Sequence, residues 1–374
     1  MRGTRQQIPS EIPSLNGIRA FSVLIVFLSH AGFERLVPGG LGVTIFFFLS
    51  GFLITTLLIR EHARFDKIDI YAFYVRRFFR LMPPLLVTLT IAYSMTYVSI
   101  LPGNITLEGI AAQILYFTNY LEVFFQGSEK IPTGTGVLWS LAVEEHFYIV
   151  FPVAMSIAFA LGVTSRTKMI IAAVLCLAFL LWRTYLVYGF GVSDARTYYS
   201  SDTRIDSILY GCVLAFAIDA WHQDTRENAS LSSIEWVALG AGTVLLCTTF
   251  VYRDPQFRET LRYSFQGIAL LPIFFLAIRR HDHWLFRVLN TRPAILLGIY
   301  SYSIYLIHRV VIVALADNFP VLHQHVVVLA LASLVLSIAF AAFVDQYIDR
   351  YFRKRRQQFH RIPPLAVTHE QAPV

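Results

Sequence analysis

Charge is what this 374-residue chain has little of: 15% of its residues are Asp, Glu, Lys or Arg, against about a quarter in an ordinary soluble domain. With 56% hydrophobic residues and a mean hydropathy of +0.57, that deficit excludes a soluble globular protein of this size and points to a polytopic membrane protein. Cysteine is also scarce. Cys176, Cys212 and Cys247 fall in separate apolar runs, without CxxC spacing or neighbouring histidines, so they read as small buried residues. Neither a disulfide framework nor a metal site is expected from them. No separate apolar segment precedes residue 15 and no small-residue cleavage site follows His30, so the first helix is expected to be retained. The net charge of +7 and pI of 9.3 do not point to nucleic acid. The basic residues cluster at the ends of apolar runs, where topology and anionic lipid account for them.

What is present is a succession of apolar runs long enough to cross a bilayer, at 15–33, 40–59, 83–101, 138–161, 168–188, 205–221, 234–252, 264–279, 295–316 and 325–346. An eleventh candidate, 106–125, carries Glu108, Gln113, Asn119 and Glu122 and is less apolar. The basic residues arbitrate, because loops on the cytoplasmic side carry the Lys and Arg excess. Placing both Arg60–Arg80 and Arg350–Arg356 inside requires an even number of spans. The expected architecture is therefore an all-α bundle of about ten transmembrane helices with both termini cytoplasmic, and with 106–125 as a re-entrant or interfacial segment on the outer side. It divides into a cytoplasmic N-terminal segment (1–14), a transmembrane domain (15–349) and a basic cytoplasmic tail expected to be disordered (350–374).

Several polar constellations interrupt the apolar pattern. In LNGIRAFSVLIVFLSH, Arg19 and His30 are eleven residues apart, which puts them on one helix face roughly 16 Å apart. Intramembrane ionisable groups are functional candidates, although snorkelling to the two interfaces is the simpler reading of each. In YVRRFFRLMPP, Arg77 and Arg80 stand one turn apart, the spacing of an interfacial helix or of a pair of guanidinium forks on a phosphate. Pro83 and Pro84 then suit the first turn of the next helix. In GTGVLWSLAVEEHFYIVFP, Ser140, Glu144 and Tyr148 share a face at the outer mouth of a span, and Glu145 adds a second carboxylate beyond what a helix dipole asks for. SDTRIDSILYGC sets Asp202, Arg204 and Asp206 at another outer helix start, where a cap with a local Arg–Asp pair is the simple reading. In LLGIYSYSIYLIHRVV, Ser301 and Tyr305 read as interhelical hydrogen-bonding groups, and His308 as a weaker candidate than His30.

Together these motifs resemble the membrane-bound acyltransferase-3 family, whose members O-acylate cell-envelope polysaccharides and some small secreted metabolites. The resemblance rests on IPSLNGIRAFSVLIVFLSH, FFFLSGFLIT, RRFFRLMPP, WSLAVEEHFY and RIDSILYG in that order, and extends from about Ile12 to Arg350. It implies a multi-pass enzyme of the bacterial cytoplasmic membrane. Such an enzyme takes an acyl group, commonly acetyl, from acyl-coenzyme A and places it on a hydroxyl of a carbohydrate or small-molecule acceptor. The family's motif positions fall here on Arg19 and His30, on Arg77 and Arg80, and on Ser140 and Glu144.

On that reading His30 is the general base, neutral imidazole being best matched to taking a hydroxyl proton near pH 7. Glu144 is expected to orient it, with Asp206 as second choice. Arg77 and Arg80 are the expected contacts of the donor's phosphates and Arg19 lines the route between, while Ser140, Glu145 and Arg204 are assigned to the acceptor. A two-step route through acyl-His30 fits the same residues. So does a different class of protein, a proton-coupled transporter or exporter using Arg19, His30 and Glu144 as its pathway.

Overall fold

A computed structural model describes residues 13–221 and 231–359, so most of the segment expected at 1–14 and of the tail beyond 359 lies outside the described residues. The chain opens with α1 (Pro13–Leu28), which runs into a π-helical turn (Ser29–Phe33), then α2 (Gly39–Phe65) and α3 (Ile70–Tyr97). Two short helices, α4 (Leu107–Ile114) and α5 (Thr118–Phe125), precede α6 (Trp139–Ala160) and α7 (Ser165–Phe190). A one-turn α8 (Asp194–Tyr199) leads into α9 (Ser201–Ala220), followed by α10 (Ser233–Val251), α11 (Pro255–Glu259), α12 (Leu261–Arg279) and α13 (Arg292–Asn318). The last elements are α14 (Pro320–Gln324) and α15 (Val326–Phe343), which continues through a second π turn (Val344–Asp349) into α16 (Arg350–Gln357). Among the described residues there is no strand.

Nine of these helical stretches are long and apolar enough to cross a membrane among the described residues. The tenth crossing is α9, whose 20 residues span about 30 Å. Asp202, Arg204, Asp206 and Asp219 lower its hydropathy, yet Arg204, Asp206, Ser207, Ile208 and Cys212 are fully buried. A polar helix is tolerated here because other helices, not lipid, surround it. Its contact with α2 is backbone to backbone. A Cβ on Gly51 would lie 1.9 Å from the Ile208 carbonyl oxygen, and one on Gly211 would lie 1.9 Å from that of Phe48, so glycine is required on both sides of the crossing. The periphery is the reverse: Val237, Val244 and Val251 of α10 and Leu331 and Val335 of α15 are exposed, surfaces that only hydrocarbon can cover. Cys176 and Cys212 are buried as expected, whereas Cys247 sits on this exposed periphery. The protein is a multi-pass integral membrane protein.

The segment 106–125 does not span. Its two eight-residue helices, each about 12 Å long, break at Tyr116, which adopts a left-handed φ of 59°. The third span needs correction at its start. Asp69 caps α3 by accepting from the Ala72 amide, so the helix begins at Ile70 and the RRFFR run is its first turns rather than a separate interfacial helix. Pro83 and Pro84 then lie inside it. Proline there leaves carbonyls of the preceding turn without helical partners, a defect that neighbouring helices can relieve in a bundle. Next to that turn the Tyr302 hydroxyl donates to the Leu81 carbonyl at 2.8 Å. The tail also departs from expectation: residues 350–357 are helical, with Phe352 stacked on Phe79 and Arg353 paired with Asp345 at 2.9 Å.

Ten crossings bring Pro13 and Gln357 to one face, together with the start of α3 and with Arg279, Arg280, Arg287 and Arg292. Its basic character makes this the inner face. Reporter fusions placed after residues 64 and 356 should therefore both give cytoplasmic signals; an external signal at 356 would require an odd number of crossings.

Candidate functional site

At the outer end of the bundle a cavity of about 370 Å³ is lined by His30, the first turn of α2 (Gly39, Gly40, Val43), the 131–137 loop, and Trp139, Tyr198, Tyr199, Tyr305, Arg309 and Glu122. Burial pushes the Glu122 carboxyl above its ordinary pKa and the Tyr199 hydroxyl up to about 12, so Tyr199 faces the cavity as a neutral hydroxyl. His30 reaches the cavity from the π turn that ends the first span. The turn closes at Gly32, whose φ of 99° a side chain would strain, and Arg309 donates to the His30 carbonyl at 3.3 Å.

The partner of His30 is His308. His30 Nδ1 lies 2.9 Å from His308 Nε2, with the rings stacked at a centroid distance of 5.1 Å. His308 Nδ1 is in turn 2.7 Å from the Tyr305 carbonyl oxygen. A carbonyl only accepts, so Nδ1 of His308 carries its proton, and in the neutral ring Nε2 is then an acceptor. His30 Nδ1 must donate to it. This network leaves Nε2 of His30 as the unprotonated, basic nitrogen of a residue that lines the cavity.

Glu144, expected to orient His30, faces elsewhere. It sits in a second cluster deeper in the bundle, 3.9 Å from the Arg77 guanidinium and facing Ser50 and Arg19. Glu145, expected at the acceptor, is also there, 2.5 Å from Arg77 Nη2. The Arg77 guanidinium lies 3.3 Å from the centroid of the Tyr148 ring. The cluster thus brings Arg19 and Arg77 near Glu144 but leaves Arg80 exposed, and it commits Arg77 to carboxylates already present. Arg19 and His30 mark the two levels, roughly 16 Å apart along α1.

Asp206 lies in neither cluster. It accepts from Arg183 at 2.9 Å and from Ser264 at 3.1 Å, and both charged side chains are fully buried. Residues two apart on a helix point in different directions, which is why Asp206 faces α7 and α12 while Arg204 faces α2. The local Arg204–Asp206 pair therefore does not form. Arg204 lies behind the cavity wall, 4.0 Å from the centroid of the Tyr263 ring and 5.2 and 5.7 Å from those of Tyr198 and Trp139. Ser140 is likewise one layer back, 2.7 Å from the Tyr305 hydroxyl. Of the nine residues given a catalytic or binding role from the sequence, His30 alone lines the cavity. His308 was the undervalued one. The signal for it was its place near the outer end of a span running in the same direction as α1.

The chain matches the acyltransferase domain family Acyl_transf_3 over residues 12–344. It belongs to that acyltransferase family. Among its relatives, it is 31% identical over 358 residues to the O-acetyltransferase OatA of Staphylococcus aureus strain NCTC 8325, covering 93% of this chain and 58% of that protein. It is 29% identical over 362 residues to a putative O-acetyltransferase of S. aureus strain COL, covering 92% of this chain and 57% of that one. The chain therefore spans under two thirds of the length of the curated relatives it matches. No solved structure matches it.

The buried Arg183–Asp206 pair gives a stability prediction. Asp206→Leu alone should cost about 3–5 kcal/mol by stranding the Arg183 charge, and Arg183→Met with Asp206→Leu should recover much of it. Thermal unfolding in detergent measures both, and single variants within about 1 kcal/mol of wild type would contradict a structural role for the pair.

Proposed function

We propose that the protein is a membrane O-acyltransferase that moves an acetyl group from acetyl-coenzyme A, bound from the inner face, to a hydroxyl of a carbohydrate acceptor in the outer cavity. The observation that carries this reading is the relay from the Tyr305 carbonyl through His308 to His30, which holds His30 as a neutral base on the cavity wall. The names of the relatives support acetyl as the group and oxygen as the acceptor atom. Aromatic rings of Trp139, Tyr198 and Tyr199 on the same wall suit a sugar ring, which presents an apolar face along with its hydroxyls. The bacterial cytoplasmic membrane is the location at which coenzyme A on one side and an envelope acceptor on the other are both available.

In the transfer, His30 Nε2 takes the acceptor hydroxyl proton as the oxygen attacks the thioester carbonyl. The new C–O bond forms, the C–S bond breaks, and the proton passes from the imidazolium to the departing thiolate. His308 is a positioning residue: it holds the His30 tautomer and accepts from the ring, the part first given to Glu144. Near the first turn of α2, whose N-cap Pro38 offers no side-chain hydrogen bond, the positive helix end suits the oxyanion of the tetrahedral intermediate. Arg19, Arg77 and Arg80 face the route by which the donor's acyl arm would climb from the inner face to His30.

Labelled acetyl transfer in membranes at matched protein abundance tests the reading. His30→Gln should lose about 10²–10⁴-fold in rate, because glutamine fills the site but takes no proton. His308→Gln, able both to accept from His30 and to donate to the Tyr305 carbonyl, should retain more activity than His308→Leu. Wild-type rates in His30→Gln would overturn the base assignment and favour a transport function for the same charged residues.

A further inference from the structure

The outer cavity carries two opposite charges that have not met. Arg309 of α13 and Glu122 of α5 both line its wall, yet neither forms an ion pair among the described residues. In a space of about 370 Å³ they would pair if either were free to swing, so each is held where it stands. Arg309 is held at both ends. A Cβ on Gly134, whose φ is 94°, would lie 2.9 Å from the Arg309 carbonyl carbon, so the 131–137 loop is pressed onto its backbone. At the other end Nη1 donates to the His30 carbonyl at 3.3 Å, which is the one hydrogen bond of this side chain among the described residues. The remaining N–H donors of the guanidinium are free for a ligand. Glu34 faces it from the turn beyond His30 but is exposed and outside ion-pair distance. Glu122 is fixed by the turn that follows α5. Its Oε2 is wedged where a Cβ on Gly127 would lie 2.8 Å away, and it is buried without a hydrogen-bond partner.

A ligand that completes this wall must satisfy both groups. The hydroxyls of any sugar can donate to Glu122, but they leave the guanidinium charge unmatched. A carboxylate matches the Arg309 fork in shape and in charge. A phosphate monoester fits less well, because a dianion would face a single guanidinium with the Glu122 carboxylate in the same cavity, whereas a monoanion leaves the three charges closer to balance. Since Arg309 is tied to the His30 carbonyl, a carboxylate held by it is brought beside the base.

We propose that Arg309 is a specificity-determining residue of the acceptor site, selecting a sugar that carries a carboxylate, of the uronic acid class, while Glu122 accepts from the hydroxyls of that sugar. This rests on the carbohydrate reading given above.

The measurement is labelled acetyl transfer from acetyl-coenzyme A by the full chain in detergent, at matched protein abundance, to methyl glucuronide, methyl glucoside and methyl glucoside 6-phosphate. Wild type should favour the glucuronide over the glucoside by about 10- to 100-fold in kcat/KM, the value of one charge-assisted contact, and should favour it over the phosphate as well. Arg309→Gln should bring the glucuronide-to-glucoside ratio within about threefold of unity, and Arg309→Lys should keep part of it, because an ammonium supplies charge without the fork. Glu122→Gln should slow transfer to both sugars without narrowing the ratio. If Arg309 only supports the turn that carries His30, Arg309→Gln will lose equally on the two sugars and keep the wild-type ratio, a result that would overturn the assignment. Equal wild-type rates on glucuronide and glucoside would overturn it too, and a preference for the 6-phosphate would make the acceptor a phosphorylated sugar and overturn the carboxylate class. Transfer to none of the three would overturn the carbohydrate reading and the proposal with it, an outcome distinct from the others.

Discussion

Hydrocarbon offers no partner to a polar group, and that constraint orders this molecule. Every polar side chain within the membrane must be enclosed by other helices and matched there. The helix with the most of them, α9, is consequently at the centre, cross-linked through Asp206, Arg183 and Ser264 to α7 and α12 and pressed onto α2 at Gly51 and Gly211. Helices α10 and α15, with long exposed apolar faces, form the rim. A soluble protein would place these elements the other way round.

Enclosure also sorts the charged residues into two levels. Near the outer face the His30–His308 pair can be carried uncharged and can take up a proton, beside the Arg309 and Glu122 that line the same cavity. Deeper and toward the inner face are arginines, permanently charged and either paired with Glu144 and Glu145 or turned toward the inner surface. On the function proposed above, proton chemistry would belong to one level and anion binding to the other, and α1 joins the two levels through Arg19 and His30. Function here follows from which charges a membrane allows at each depth.

Two residues show how the helical register decides what a sequence motif does. Arg77 and Arg80 look alike and lie a turn apart, yet one is committed to carboxylates and the other makes no ion pair among the described residues, because α3 begins at Ile70 and sets which side of the helix meets α6. Arg204 and Asp206 look like a pair and are not, because a step of two residues separates them around α9. One ends in an aromatic box, the other in a buried ion pair.

The sequence by itself determined the membrane class, the all-α architecture, the approximate number of the spans and the non-spanning 106–125 segment, and it marked His30 as a candidate. These follow from one-dimensional quantities, namely the length of apolar runs, the position of Lys and Arg relative to them and the spacing of polar residues along a helix. The family resemblance sharpened them into a reaction. Only the tertiary structure decided the partners. Glu144 was the expected companion of His30, and His308, nearly the whole chain away, is the one that meets it. Phe352 stacks on Phe79 only because a basic tail continues as a helix and folds back on α3. Pairings of this kind depend on which helices pack side by side and on their rotation about their own axes. Residues hundreds of positions apart carry no mark of either in a single sequence.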